Sequence, residues 1–423
     1  MRKRDCFPAL AAVLGAAVSA VAAGGELSVT GYLAARGLAV RGQPSWLAGG
    51  FGRLAAGAEA PDDEDAFALG LAHVALDLRP SELFGFYVHG AARAEPDVRE
   101  GDEAGFVEAF VYGSARARRA DVFRWRLGHF ILPTSRENVE VAWSSPYTIT
   151  FSALNSWIGE EVRLTGVLTE YSLGVGAVDE LRLGAGAFGG NDAAGALLAW
   201  RGWSLGDRLT PFGELLALPP LDSLAGGGPF DRQLDRGTQP FGSDLDGRAG
   251  WAAYLRYARP QRTTLQWTHY DNRGDRGLHR GEYAWETELD LLGADLHLGD
   301  AFTLAGELLD GSTGMGFRAD AMVQLDLRAA YLLASWRPGS FRVTLRHDRF
   351  ETVDRDLTPR GEDNDEDGRA WTLAFFWEPD ERWRLGLELL DLRAARPAAA
   401  QSGFDPDTDA RSLILELRYY LDW

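Results

Sequence analysis

Leu413-Ile-Leu-Glu-Leu-Arg-Tyr-Tyr-Leu-Asp-Trp423 alternates without a break to the end of the chain. Leu413, Leu415, Leu417, Tyr419, Leu421 and Trp423 fall on one face of an extended strand. Ile414, Glu416, Arg418, Tyr420 and Asp422 fall on the other, because successive side chains of a strand point to opposite sides. Such a strand separates an apolar medium from a polar one. A half-buried strand of a soluble sandwich and a strand crossing a membrane both fit.

Working back from the end, the same period recurs. Trp371, Leu373, Phe375 and Trp377 alternate with Thr372, Ala374, Phe376 and Glu378; Trp383, Leu385, Leu387 and Leu389 alternate with Arg384, Gly386, Glu388 and Leu390. Phe341, Val343 and Leu345 repeat it, as do Phe84, Phe86 and Val88, and Phe123, Trp125 and Leu127. Connections fall into two classes. Arg79-Pro80-Ser81, Ala258-Arg259-Pro260, Leu298-Gly299-Asp300, Arg337-Pro338-Gly339 and Glu378-Pro379-Asp380 are tight turns, whereas 43–65, 272–282 and 352–368 are long and polar. Alternating segments of roughly ten residues, with short turns at one rim and long loops at the other, are the signature of a transmembrane β-barrel. Sixteen strands are expected, near 26–37, 66–78, 83–94, 105–116, 122–132, 161–174, 180–189, 248–258, 262–271, 284–298, 302–311, 321–336, 341–350, 369–378, 382–392 and 411–423. The segment 196–218, with Trp200 and Trp203, is left out of the strands because it breaks the parity of turns; it is read as part of a long fourth external loop, 190–246, holding a short helix or local hairpin.

Composition agrees with that class. Hydrophobic residues make up 46% of the 423, and after residue 23 no apolar run approaches the about 20 residues a membrane helix needs. A polytopic helical protein is excluded. The net charge of -19 argues against a nucleic-acid partner, since a phosphate backbone selects a basic face. Arg2, Lys3 and Arg4 precede an apolar stretch from Pro8 to Val21 and small residues at Ala20-Val21-Ala22, which reads as an export signal over 1–22 ahead of a barrel domain over 23–423. Cys6, the sole cysteine, leaves with that signal, and so does Lys3, the sole lysine. Disulfides and cysteine-ligated zinc are therefore not expected.

A barrel of sixteen strands encloses an aqueous channel, so function rests on inward side chains and on any loop folded into the lumen. The third external loop, 133–159, carries Arg136, Glu137, Glu140, Trp143, Tyr147 and Trp157, more aromatic than a solvated loop requires, and is expected to fold into the pore. Parity places Arg124, Arg126, Arg163, Arg182, Arg256, Arg328, Arg342, Arg346, Arg384 and Arg418 on the lumen, with Glu108, Glu161, Glu286, Glu288, Asp290, Glu307, Asp326, Glu388 and Glu416. Glu137 and Glu140 on the loop, facing Arg342, Arg346 and Arg384 on the wall, would set a transverse field at the constriction. Arginines around the third loop suggest weak anion preference. Asp363, Asp365 and Asp367 before Gly368 have the opening spacing of a calcium loop, but Ala374 stands where the closing carboxylate belongs; a solvated acidic loop is the simpler reading. No cofactor is expected. The seven histidines show no metal-ligand spacing, no Gly-x-Ser-x-Gly elbow is expected, and a channel is favoured over an enzyme or an adhesion barrel.

Two stretches carry a family resemblance. Arg126-Leu-Gly-His-Phe-Ile-Leu-Pro-Thr-Ser-Arg-Glu-Asn138 and Ser152-Ala-Leu-Asn-Ser-Trp-Ile-Gly-Glu-Glu-Val-Arg163 resemble segments of Gram-negative outer-membrane porins of the phosphate-selective class, in a porin-like branch of proteobacteria. The aromatic end at Trp423 resembles the terminal strand that the barrel-assembly machinery reads. The resemblance implies an outer-membrane homotrimer among lipids and lipopolysaccharide, passing small hydrophilic solutes through a pore narrowed by its third loop. A phosphate-specific channel is the alternative, weakened by the absence of lysine from the mature chain.

Overall fold

The computed structural model describes residues 25–57, 64–94, 104–116, 121–176, 178–318, 321–356 and 362–423. The expected signal segment, Lys3 and Cys6 lie outside them. The chain forms a closed antiparallel barrel of sixteen strands in sequence order. They are β1 Glu26–Arg41, β2 Glu64–Arg79, β3 Phe84–Ala94, β4 Ala104–Arg116, β5 Val122–Phe130, β6 Leu164–Val175, β7 Asp179–Gly189 and β8 Gly250–Arg259, then β9 Thr263–Asp271, β10 Glu286–Leu298, β11 Phe302–Arg318, β12 Ala321–Trp336, β13 Phe341–Asp354, β14 Glu366–Trp377, β15 Trp383–Ala395 and β16 Asp407–Asp422. β1 pairs β16, and Val29 exchanges two backbone hydrogen bonds with Trp423. Closure satisfies the edges that an open sheet would leave bare in lipid.

The outer face is graded with depth. On β13 to β16, Leu345, Leu373, Leu389 and Leu413 stand side by side, and Val343, Phe375, Leu387 and Leu415 form the next row down. Trp377 and Trp383 bound this band toward the short turns, and Trp371 bounds it on the other side; all three are exposed. An apolar band edged by aromatics is what a bilayer selects. The rim with the short turns, 260–262, 299–301, 337–340 and 378–382, is the rim that carries both ends of the barrel.

The segment 196–218 is not a membrane strand. It contains α2, Ala196–Arg201, and Leu216–Ala217 pairs with Gly237–Thr238 as a small hairpin. The expected strand 161–174 starts late, because Ala153–Glu161 forms α1, capped by Ser152 Oγ accepting from the Asn155 amide. β11 runs on to Arg318, well past the expected end at 311.

The core sits inside the barrel. Trp46, Phe51, Leu154, Trp157, Leu197, Trp200 and Trp203 come from loops and are at most 1% exposed. They pack on wall residues Leu289, Leu291, Val323, Leu325, Leu327 and Phe350. That inverts part of the expected lumen. Near the long-loop rim of β10 and β12, Leu289, Leu291, Val323, Leu325 and Leu327 point inward, while Glu286, Glu288, Asp290, Asp326 and Arg328 point outward above the apolar band. The physical reason is that these wall segments face packed loops rather than water.

Candidate pore and its constriction

Among the described residues, the segments 42–57, 131–163 and 190–249 supply most of the loop core inside the barrel. The third loop is tied to the wall through Glu137, which is fully buried. Its carboxylate accepts from the Ser152 amide (2.9 Å), Asn155 Nδ2 (3.0 Å) and Thr148 Oγ1 (3.2 Å), and it pairs with Arg346 of β13. Arg346 also meets Asp348 at 2.8 Å and donates to the Phe151 carbonyl at 2.9 Å. Glu388 on β15 takes the amide and hydroxyl of Thr150 (3.0 and 2.7 Å), and Glu307 on β11 accepts from Asn155 Nδ2 and the Tyr331 hydroxyl. At the other end of the loop, Arg136 donates to Gln266 (3.1 Å) and lies 3.7 Å from Asp295. The expected field across open water is thus closed up here, because loop acid and wall arginine are in contact. Arg384 is also buried, holding Glu416 at 3.1 Å and lying 3.8 Å from Glu140, while Arg342 donates to Ser335 and sits over the Tyr147 ring.

The fourth loop lies deeper than the sequence suggested. Glu161, at the end of α1, accepts from the Leu197 and Leu198 amides that open α2 (2.9 and 3.0 Å) and from Trp157 Nε1 (2.6 Å). Burial raises its carboxyl from 4.5 to about 7, against those donors. Gly195 and Gly202 bracket α2 with φ of 101° and 93°. A Cβ at Gly195 would strike Thr313, and one at Gly202 would strike Glu366, so the helix is pressed onto the wall where only glycine fits. Farther along, Asp207 reaches Arg36 of β1 at 2.7 Å and Arg93 of β3 at 3.0 Å. Burial alone would raise Asp207, but the two guanidiniums outweigh it and hold it far below the usual carboxylate range. A cavity of about 50 Å³ lies beside this clamp.

Toward the short-turn rim the lumen opens. A cavity of about 770 Å³ is lined by Arg79, Tyr87, Tyr112, Arg124, Arg126 and Glu170, among others. Arg126 meets Glu170 at 3.2 Å, Arg124 donates to Ser172 at 2.7 Å, and Arg182 lies 3.6 Å from Glu170 and 2.8 Å from Glu180. This is the water-accessible part of the lumen.

Two of the expected lumen residues need correction. Arg163 and Glu161 precede β6 and do not line the pore. Arg163 is fully buried, donates to the carbonyls of Thr210 and Gly159, and stacks on Phe241 of the fourth loop. Asp363, Asp365 and Asp367 do not converge: Asp363 accepts the Asp365 amide, Asp365 accepts the Asp354 amide, and Asp367 pairs with Arg349. The close acidic group among the described residues is Asp192, Asp244 and Asp246. Gly202-Trp203-Ser204-Leu205-Gly206 has the Gly-x-Ser-x-Gly spacing of a nucleophile elbow, against the expectation that there is none. Ser204 is buried and donates to Glu160, with a helix rather than a strand before it.

Sequence reasoning also missed Asp207, Arg36 and Arg93. The aromatic content that marked the third loop for the lumen is present in the fourth as Trp200, Trp203, Phe212 and Phe230, and the same criterion would have found it.

No protein-family model matches the sequence, and no curated protein is similar to it at a significant level. Solved structures do match across nearly the whole chain. The outer membrane channel DcaP of Acinetobacter baumannii aligns over 94% of this chain and 97% of its own, at 11% identity and a TM-score of 0.56. The fold is that of the outer-membrane porins. An anion-selective porin from Comamonas acidovorans gives 12% identity, 94% and 100% coverage and a TM-score of 0.54. OmpF of Salmonella typhi, in complex with daunomycin, gives 10%, 95% and 99%, and 0.52. None of the three is described as phosphate-selective, so the resemblance stands at the level of porins and not of that class.

Proposed function

We propose that the chain is a passive outer-membrane channel for small hydrophilic solutes and ions, with weak anion preference and a constriction built by its third and fourth loops together. The observation that carries this is the charged vestibule at the short-turn rim, which narrows onto loop segments pinned to the inner wall by buried ion pairs. Arg79, Arg124, Arg126 and Arg182 face Asp77, Glu170 and Glu180 there, a near balance that favours modest selectivity over strict rejection of one sign. The filled external half argues for low conductance, with passage requiring the fourth loop to yield. Tight phosphate capture is disfavoured, because it needs several free donors converging on one anion, whereas Arg346, Arg384 and Arg136 already hold carboxylates or amides.

Planar-bilayer recording tests the proposal. Small ohmic or voltage-activated steps are expected, with a reversal potential tilted slightly toward anions. Absence of any conductance, with or without applied voltage, would remove the channel reading. Micromolar phosphate block of chloride current would favour the phosphate-specific alternative.

Assembly as a homotrimer is part of the same proposal. Along part of β1 and β2 the outward residues are small, with Ala35 opposite Gly70, Gly37 opposite Ala68 and Ala39 opposite Ala66. Such a flat patch admits close approach of a second barrel. A heat-modifiable oligomer on mild gels is expected, and a crosslinking pattern of monomers alone would contradict it.

An enzyme is the second reading, with one observation behind it. His297 lies 3.2 Å from Asp295 and 3.1 Å from Thr303 Oγ1, facing the lumen. The other inward histidines are engaged: His73 and His89 bond each other at 3.1 Å. A threonine hydroxyl held within a strand ladder is a poor nucleophile unless donors converge beside it, so the channel reading is preferred. Hydrolysis of acyl lipids or esters that is lost in Thr303→Val would reverse that preference.

A further inference from the structure

The outer face of β13, β14 and β15 carries three arginines in one lateral row. Arg349 is directly opposite Arg369 in the β13–β14 ladder, and Arg369 is directly opposite Arg393 in the β14–β15 ladder. All three are exposed. Side chains directly opposite on one face of a sheet have Cβ atoms about 5 Å apart, and like charges in that relation repel. A row of three therefore works against the sheet unless something anionic lies along it. The protein supplies part of this: Asp409 of β16 is directly opposite Arg393 at the end of the row, Arg349 meets Asp367 at 3.3 Å, with both side chains about 70% exposed, and Arg393 lies 3.8 Å from Asp391. Ion pairs this exposed are weak. Arg369, in the middle, has no ion pair among the described residues.

Depth decides what the row meets. One step inward stand His347, Trp371 and Asp391, and the next step is the leucine row Leu345, Leu373 and Leu389. The arginines thus stand one step above the aromatic edge of the apolar band, on the rim away from the short turns. Leucines are continuous below them, and a groove of about 480 Å³ runs beside Trp371, Leu373 and Leu389 on this face. One step outward, Glu351 and Asp367 are directly opposite each other, and they would repel an anion placed any higher. An anion here is confined to one level, with hydrocarbon directly beneath.

We propose that Arg349, Arg369 and Arg393 form a docking site for a membrane lipid with a phosphorylated head group in the outer leaflet. The phosphate bridges adjacent guanidiniums, which recognise it in a planar, bidentate way, and the acyl chains run down over the leucine and phenylalanine rows. The site is on the lipid face and does not depend on whether the lumen conducts.

The test uses the full-length protein in phosphatidylcholine nanodiscs doped with diphosphoryl lipid A, or with the same lipid dephosphorylated, and reads retained lipid by native mass spectrometry. The variant is Arg349→Gln/Arg369→Gln/Arg393→Gln. The control, Arg259→Gln/Arg337→Gln/Arg382→Gln, removes as many charges from the opposite rim. Retention of the phosphorylated lipid is expected to fall roughly tenfold in the first variant, as charge-assisted phosphate contacts are lost, and to be unchanged in the control. The dephosphorylated lipid should be retained poorly by all three proteins. Equal retention by wild type and the first variant overturns the site, as does an equal loss in the control. Displacement of the lipid by millimolar inorganic phosphate alone overturns the lipid as occupant. Heat-modifiable gel mobility verifies folding, and Arg369→Gln alone serves if the triple variant fails to assemble, with a several-fold drop expected.

Discussion

Glu137 of the third loop and Arg346 of β13 are in direct contact, and neither side chain is exposed at all. Removing one partner of such a pair leaves a buried charge without compensation, at a cost of about 3–5 kcal/mol. Glu137 also ties down the Ser152 amide at the start of α1. Glu137→Ala is therefore expected to release the loop rather than unfold the wall. The single-channel conductance should rise, and a protease should cut within 144–155 while the barrel keeps its heat-modifiable mobility. Deletion of 144–155 should raise conductance in the same direction.

Asp207 connects the fourth loop to β1 and β3 on the far side of the lumen. Asp207→Asn keeps the shape and removes the charge that Arg36 and Arg93 share. Freed guanidiniums beside the small cavity should tilt permeability further toward anions, measured as a shift of reversal potential in a salt gradient. An unchanged reversal potential in a folded variant would show that ions do not pass Asp207.

Glu161 makes loop docking depend on pH. Its folded value near 7 exceeds the ordinary 4.5, so the docked state holds this proton more tightly than the released state. Docking is then firmest below about 4.5 and weakens as pH climbs toward 7. Asp207 is displaced the other way, and its clamp stays charged throughout that window. Proteolysis of 190–249, or channel current, should be greater at pH 8 than at pH 5, and Glu161→Gln should flatten the difference.

The inverted faces of β10 give a paired stability test. Leu289 points inward and is fully buried, so Leu289→Ala should cost about 2–5 kcal/mol. Glu288 points outward above the apolar band, and Glu288→Leu should stay within about 0.5 kcal/mol. On the lipid side, Leu373→Arg in the middle of the band should cost about 2–4 kcal/mol. Urea titration of the folded barrel checks all three. A large cost at Glu288 with none at Leu289 would reverse the assigned faces.

The barrel itself was legible because strand period, turn length and parity of count are local signals, and Trp371 to Trp377 or Leu413 to Trp423 carry them undiluted. Lumen faces were legible only where water fills the lumen. Glu416, Arg384 and Arg346 follow the polar-inward rule, but Leu289, Leu325 and Leu327 break it, since their inward neighbours are Trp200, Trp203 and the rest of the loop core. Which face of a strand is apolar depends on what another part of the chain brings to it, and neither strand reveals that alone. Contacts such as Asp207 with Arg36 and Arg93 join residues that no local pattern relates.

Pairing of β1 with β16 has a consequence for how the molecule is made. Val29 and Trp423 bond each other although almost the whole barrel lies between them in sequence, so the ring shuts only after β16 is in place. Trp46, Trp157, Trp200 and Trp203 belong to connections between strands, which reach the interior through the open rim and need no gap in the wall. Contacts this distant in sequence form slowly. Substitutions that weaken the β1–β16 ladder are thus expected to be read first as slow or failed assembly, before any change in the finished molecule is seen.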